Sequence, residues 1–351
     1  MRIRMSRSPS NIAIWWQAFR YHFVPASFLP AFLGSIIAWA MTGRFYPSYF
    51  SLTVLGVTIN HIALNMTDDY YDFHHSVDRG ENRERNPYSG GSGTLTSGHL
   101  LPRQMARAFR VGYLITIGIG LVLVATRGWQ VLFFGVFGVW CAFFYTAPPI
   151  RYGYRGFGEL SQLVNFSLTI GLGAFFVQSQ YISWDAMYVL LPLGFMMFAM
   201  IIINEIPDEN DDRTGGKRNL VVIFGREKSV WFYGLSMLSA YLILILAPLI
   251  GSASWWVYCA LVTLPWFFKA LRILIKNYNH DAKMSPANML TIRIHNISGI
   301  LLCLAYIIHG VDKGNDVRQM VIPIVMLIIL YFPVALTIFF NIVTLKPDEK
   351  T

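Results

Sequence analysis

The sequence predicts an all-α polytopic membrane protein: a bundle of nine to ten transmembrane helices around a central cavity that opens to the cytoplasmic side. Three observations carry that prediction. Hydrophobic residues make up 55% of the 351-residue chain and charged residues 13%, against about 25% charged in soluble domains. The apolar residues gather into ten runs close to the roughly 20 residues that cross a bilayer. The basic residues concentrate in alternate loops, as orientation in a membrane requires.

The runs can be taken in order. The first, 23–42, follows a segment 1–22 that carries Arg2, Arg4 and Arg7. Ala38-Trp39-Ala40 mimics a signal-cleavage site, but the run is longer than the 7–15-residue core of a signal peptide, so it reads as the first membrane helix. The second run, 48–66, ends in an acidic cluster. Runs 106–126 and 129–147 meet at Gly128, as antiparallel neighbours do. Runs 158–178 and 186–206 follow, and the latter leads into a second acidic cluster. Runs 229–250 and 254–275 flank the turn Gly251-Ser252-Ala253-Ser254, and 291–309 and 320–344 complete the set. Residues 23–345 form one transmembrane domain, with a short tail at 346–351.

With the N-terminus on side one, only Arg44, Arg127, Lys313 and Arg318 of the 28 Lys and Arg residues fall on the other side. Side one is therefore the cytoplasmic one. The net charge of +9 is then an orientation signal, which argues against a nucleic-acid partner. Cys141, Cys259 and Cys303 lie singly in apolar runs, without the spacing of a metal or redox pair.

Both acidic clusters fall on side one. The first holds Asn65, Asp68, Asp69 and Asp72, and the second Asn204, Glu205, Asp208, Glu209, Asp211 and Asp212. On a helix, Asn65, Asp69 and Asp72 share a face with Asp68 beside them, and Asp208 and Asp212 form a similar pair. Two carboxylates about 4 Å apart repel by about 4 kcal/mol at an effective dielectric near 20, so such clusters call for positive charge. Their hard oxygens suit Mg2+, which bridges carboxylates to substrate phosphates. The echo of Asn65-x3-Asp69 in Asn204-x3-Asp208 suggests two similar halves.

Arg79, Arg151, Arg155, Arg213, Lys217 and Arg218 lie in the neighbouring loops and suit phosphate binding. The run Gly90 to Gly98 offers backbone N–H groups. Tyr70, Tyr71, Tyr145, Tyr152 and Tyr154 supply ring faces that shelter a cation, though interfacial tyrosines are common in membrane proteins. His61 reads as a packed polar group within the second helix.

In these residues the chain resembles the UbiA superfamily of membrane aromatic prenyltransferases, and within it the 1,4-dihydroxy-2-naphthoate polyprenyltransferases of menaquinone synthesis. The resemblance rests on Asn65, Asp69, Asp72 and Asp78, on the glycine-rich run from Gly90, on Tyr145 through Arg151 with Tyr154 to Glu159, and on Asn204, Asp208, Asp212 and Gly216-Lys217-Arg218. It covers about 15–225.

The resemblance implies Mg2+-dependent ionisation of an allylic polyprenyl diphosphate. Asp69, Asp72, Asp208 and Asp212, with Asp68, would hold the metal. Asn65, Arg79, Tyr145, Arg151, Asn204, Lys217 and Arg218 would bind the diphosphate or substrate. An aromatic acceptor, of which 1,4-dihydroxy-2-naphthoate fits this branch, would attack the allylic cation. Other members of the superfamily take 4-hydroxybenzoate, homogentisate or a lipid. The surrounding lipid is an implied partner, and no obligatory protein partner is evident.

An ion transporter or a non-catalytic membrane scaffold is the competing class. A transporter needs polar groups deep in several spans, whereas the acidic residues here gather at helix ends. Three features depart from the family pattern: ten runs where nine are usual, an unusually charged loop at 79–87, and Pro207 just before Asp208, which should break the sixth helix.

Overall fold

The computed structural model describes residues 10–77, 86 and 88–344. A short helix α1 (Asn11–Ala18) precedes α2 (Pro25–Thr42), α3 (Pro47–His74), α4 (Pro102–Arg127) and α5 (Val131–Phe144). The chain continues through α6 (Gly158–Ser179) and α7 (Trp184–Glu205) to two short helices, α8 (Glu209–Thr214) and α9 (Leu220–Phe224). Four long helices follow: α10 (Arg226–Leu249), α11 (Trp255–Asn277), α12 (Asp281–Asp312) and α13 (Val321–Thr344). No strand occurs among the described residues.

Nine helices among the described residues are long and apolar enough to cross a membrane. The run expected at 129–147 forms only the 14-residue α5. The turn at Gly128 (φ 97°) delays its start, and Pro148-Pro149, which cannot continue a helix, follow its end. It nevertheless links the same two ends of the bundle as its neighbours. Its start lies beside Arg127, whose guanidinium donates to Val177 O and Gln178 O, and its end leads to Tyr154, bonded to Asp72. The helix expected at 291–309 instead runs from Asp281, because a helix can project beyond the apolar layer where hydropathy no longer marks it.

Burial separates the centre from the rim. In the most apolar stretch of the first span 94% of residues are buried, against 17% in α4 and in the last span, so α2 is the central pillar and those two helices face lipid. Helices pack closely where glycine permits it: a Cβ on Gly34 of α2 would lie 2.0 Å from Gly171 O of α6. Outward-facing Leu114, Val136, Trp231, Leu235 and Ile328 form the apolar exterior a bilayer requires.

At the end of the bundle bearing Arg44 and Arg127, side chains close the helix termini. Gln178 exchanges two hydrogen bonds with the Tyr46 backbone (2.9 and 3.1 Å), and Asn315 donates to Trp39 O and Ala40 O. The acidic ends of α3 and α7 meet at the opposite end.

Candidate active site

Asp68, Asp69 and Asp72 lie on the last two turns of α3, as the sequence periodicity predicts. The second cluster is arranged differently. α7 stops at Glu205, and after Pro207 the residue Asp208 sits at the N-terminus of the separate helix α8, which carries Asp212. Pro207 thus redirects the chain so that α8 turns its carboxylates toward α3.

The two ends enclose a cavity of about 120 Å3 whose lining includes Asn65, Asp68, Asp72, Asn204, Glu205, Asp208 and Asp212. Arg20 and Lys217 are the cations among the described lining residues, and Tyr145 contributes a buried ring. Five carboxylates thus face two cations.

Each aspartate is held by a specific donor. Asp69 accepts the Ser92 N–H on both oxygens (3.1 and 3.2 Å), and Asp208 accepts the Gly90 N–H at 2.7 Å. The glycine-rich segment therefore spans both clusters, using backbone amides rather than side chains. Asp72 takes Lys217 Nζ at 3.1 Å on one oxygen and the Tyr154 hydroxyl on the other. Asp212 accepts Asn219 Nδ2 at 2.7 Å and lies 3.9 Å from Lys217 Nζ. Arg20 Nη1 approaches Asp68 at 3.2 Å and Asp69 at 3.8 Å. Asn65 donates to Phe19 O, fixing the N-terminal segment against α3, and Asn204 accepts from Asn288.

Charge crowding shapes the groups outside the membrane spans. Burial pushes the Asp212 carboxyl up to about 8, with Lys217 opposing and Asp208 and Asp72 reinforcing. Burial pulls the Lys217 ammonium down, but Asp72, Asp212 and Asp68 outweigh it and hold the group charged well above its usual range. Burial, then the Asp72 charge, raises the Tyr154 hydroxyl, which stays a donor.

Two of the expected diphosphate ligands stand elsewhere, and a third lies outside the described residues. Arg151 is one layer back, with its guanidinium 3.0 Å from His75 Nε2 and over the Tyr154 ring. Its backbone is left-handed (φ 43°). Arg218 is exposed and contributes its backbone N–H to Tyr154 O, because turning Lys217 inward sends its neighbour outward. Arg79, together with Asp78, lies outside the described residues. Sequence reasoning missed Arg20, Asn219 and the Tyr154–Asp72 contact, and read the amides of the Gly90–Gly98 run as facing an anion rather than the chain's own Asp69 and Asp208. Arg20 was legible only as a basic residue ahead of the first span.

Among the described residues no three His, Cys, Asp or Glu side chains close into a metal cage. The donor set still fits Mg2+, which keeps several waters and is held by one or two carboxylates together with substrate phosphates. The buried Asp68 Oδ1 has no hydrogen-bond partner, and the excess of carboxylates over cations leaves charge for a cation to neutralise.

A larger apolar groove of about 520 Å3 opens toward the membrane between α3, α4, α5 and α6, lined by residues such as Leu52, Ile119, Phe134, Val136 and Val177. A narrow neck of about 30 Å3, bordered by Asn60, His61, Leu64, Gln162 and Phe166, shares lining residues with both spaces.

Comparison with known proteins places this geometry. The profile of the UbiA prenyltransferase family matches residues 27–297. The 1,4-dihydroxy-2-naphthoate octaprenyltransferase of Bacillus subtilis is 26% identical over 299 residues, 84% of this chain and 92% of that protein. The 2-carboxy-1,4-naphthoquinone phytyltransferase of Synechocystis sp. is 24% identical over 303 residues, covering 86% and 95%. Among solved structures, a UbiA homolog from Archaeoglobus fulgidus bound to DMAPP and Mg2+ shares the fold at 12% identity, with a TM-score of 0.53 over 83% of this chain and 99% of that one. A digeranylgeranylglyceryl phosphate synthase superposes with a TM-score of 0.57 at 14% identity, over 86% and 99%.

Proposed function

The chain belongs to the UbiA prenyltransferase family, and from that premise we propose that it transfers a polyprenyl group from an allylic polyprenyl diphosphate to 1,4-dihydroxy-2-naphthoate in menaquinone synthesis, with the active site on the cytoplasmic side. One observation carries the reading of the site: the acidic ends of α3 and α8 face each other across one cavity, with Lys217 between Asp72 and Asp212. The naphthoate acceptor is supported by the activities named for the relatives in Bacillus subtilis and Escherichia coli, each about a quarter identical over most of their length.

Asp68, Asp69, Asp72, Asp208 and Asp212 are the residues that would hold Mg2+. Bound Mg2+ would neutralise the diphosphate and stabilise it as a leaving group. Lys217 and Arg20 add fixed positive charge beside the departing oxygens, as preorganised electrostatic stabilisation demands. Gly90 and Ser92 hold two of the carboxylates in register through their amides. Tyr154 and Asn219 fix the outer oxygens of Asp72 and Asp212, so that neither carboxylate rotates away when the diphosphate enters. The apolar groove takes the isoprenoid tail.

In the transfer itself the allylic C–O bond breaks to release diphosphate. The ring π electrons form the new carbon–carbon bond, and the ring carboxylate leaves as CO2. The buried rings of Tyr145 and Phe166 wall the cavity from water and present π faces to the allylic cation.

The test is diphosphate release by purified wild-type protein and by Asp69→Asn and Asp212→Asn, with Mg2+ titrated. Loss of about 100-fold or more in both variants, at retained fold, is expected. Near-wild-type release from either would remove that carboxylate from the metal site.

A further inference from the structure

The neck between the polar cavity and the apolar groove has an unusual chemistry. Gln162 and Asn165 are both more than nine-tenths buried, yet Gln162 Oε1 and Asn165 Oδ1 have no hydrogen-bond partner. Asn60 Nδ2 reaches toward Gly138 O at 3.5 Å, leaving Asn60 Oδ1 without one. All three side chains border the neck, together with His61. Leaving several buried acceptors unmatched is costly, so the neck is built for something that brings donors.

His61 completes the set. The Ser27 hydroxyl donates its proton to Val24 O at 2.9 Å. Its contact with His61 Nδ1, also 2.9 Å, must then be donated by the ring. That fixes the tautomer with the proton on Nδ1, and Nε2 becomes one more acceptor. Phe166 stands edge-on to the His61 ring, with centroids 5.1 Å apart, and gives the neck an aromatic wall. Asn165 also opens the π-helical stretch Asn165–Leu172 of α6, a distortion frequent at functional sites.

We infer that this neck receives a hydroxyl of the aromatic acceptor: the unmatched oxygens of Gln162, Asn165 and Asn60, with His61 Nε2, present acceptors there, which match a phenolic O–H. The inference rests on the prenyl-transfer reading and deepens it. The ring enters with the hydroxyl remote from its carboxylate in the neck, and the carboxylate points back toward Arg20 and Lys217. A phenol that hydrogen-bonds to these acceptors is more electron-rich, which favours its attack on the allylic cation.

The test is equilibrium binding to the full chain in detergent or nanodiscs, under reducing conditions. The probes are 1,4-dihydroxy-2-naphthoate, its 1,4-dimethoxy analogue and a polyprenyl diphosphate with Mg2+. The dihydroxy probe should bind about tenfold more tightly than the dimethoxy one, for the one hydrogen bond lost in the neck. Gln162→Met and Asn165→Leu should each shrink that ratio by about threefold and leave diphosphate affinity unchanged. Comparing ratios cancels the bulk of the methyl groups and any general loss of folded protein. A wild-type ratio near one, as a neck that holds only water would give, overturns the inference. So does a ratio that neither variant alters. Diphosphate binding without dihydroxynaphthoate binding sinks the neck assignment alone, whereas failure to bind both also removes the function it rests on.

Discussion

Replacing Lys217 with Met removes a cation from the centre of the site while keeping much of its volume. At an effective dielectric near 20, unit charges at the observed 3.1 Å (Asp72) and 3.9 Å (Asp212) attract by about 5 and about 4 kcal/mol. Most of that offsets the desolvation of a side chain only 10% exposed. The measurable loss is the cost of leaving its partners unpaired, about 3–5 kcal/mol for a buried ion pair broken on one side. Mg2+ should stabilise the variant more than the wild type, because a divalent ion supplies the missing charge. Turnover should fall by about 100-fold or more if Lys217 steadies the diphosphate, and Lys217→Arg, which keeps the charge, should recover part of it. The assay is thermal unfolding in detergent with and without Mg2+, alongside kcat and KM for the polyprenyl diphosphate. A Met variant with unchanged Tm and turnover within threefold of wild type would refute the argument that Lys217 balances the carboxylates and acts on the substrate.

Other expectations follow from the same geometry. Arg151→Ala should change KM for the diphosphate by no more than about threefold, since its guanidinium contacts His75 and Tyr154 rather than the cavity; steady-state kinetics checks this. Asp212, raised to about 8 in the folded protein, binds a proton that the unfolded chain has lost. Stability without Mg2+ should therefore fall as pH rises through about 8, by at most about 1.4 kcal/mol per pH unit, and Asp212→Asn should flatten that slope in thermal unfolding. Gly34→Leu should destabilise by about 3 kcal/mol or more, because its Cβ would sit 2.0 Å from Gly171 O. Loss of folded protein after detergent extraction reports it.

The parts of the site legible in the sequence are those whose chemistry is local. Aspartates spaced along the end of an apolar helix declare a charged face, and the structure sets Asp68, Asp69 and Asp72 there. Pro207 announced the break that makes α8 a separate helix. What stayed hidden depends on the chain returning from elsewhere. The glycine-rich run announced the backbone amides of Gly90 and Ser92, but not that Asp208 and Asp69 accept them. Arg20 reaches Asp68 only because the N-terminal segment folds back against α3.

The choice among basic residues was equally invisible. Lys217 and Arg218 are neighbours of like charge, and only the path of the loop decides which turns inward. Hydropathy found the helices because lipid rewards apolar surface all round, and for the same reason it could not tell the buried pillar α2 from the lipid-facing α4. His61 looked like packing and proves to border the neck, a placement that needs α6 packed against α3.

The central claim is that the facing acidic ends of α3 and α8 form a prenyl-transfer site. Its most direct test is the mass of the product formed when the purified chain, in nanodiscs, is given Mg2+, a polyprenyl diphosphate and 1,4-dihydroxy-2-naphthoate. The account predicts a metal-dependent prenylated naphthol that has lost its carboxylate, with one diphosphate released per product. Folded protein that leaves both substrates intact at saturating Mg2+, with that acceptor and with other hydroxylated aromatic acids, would contradict it.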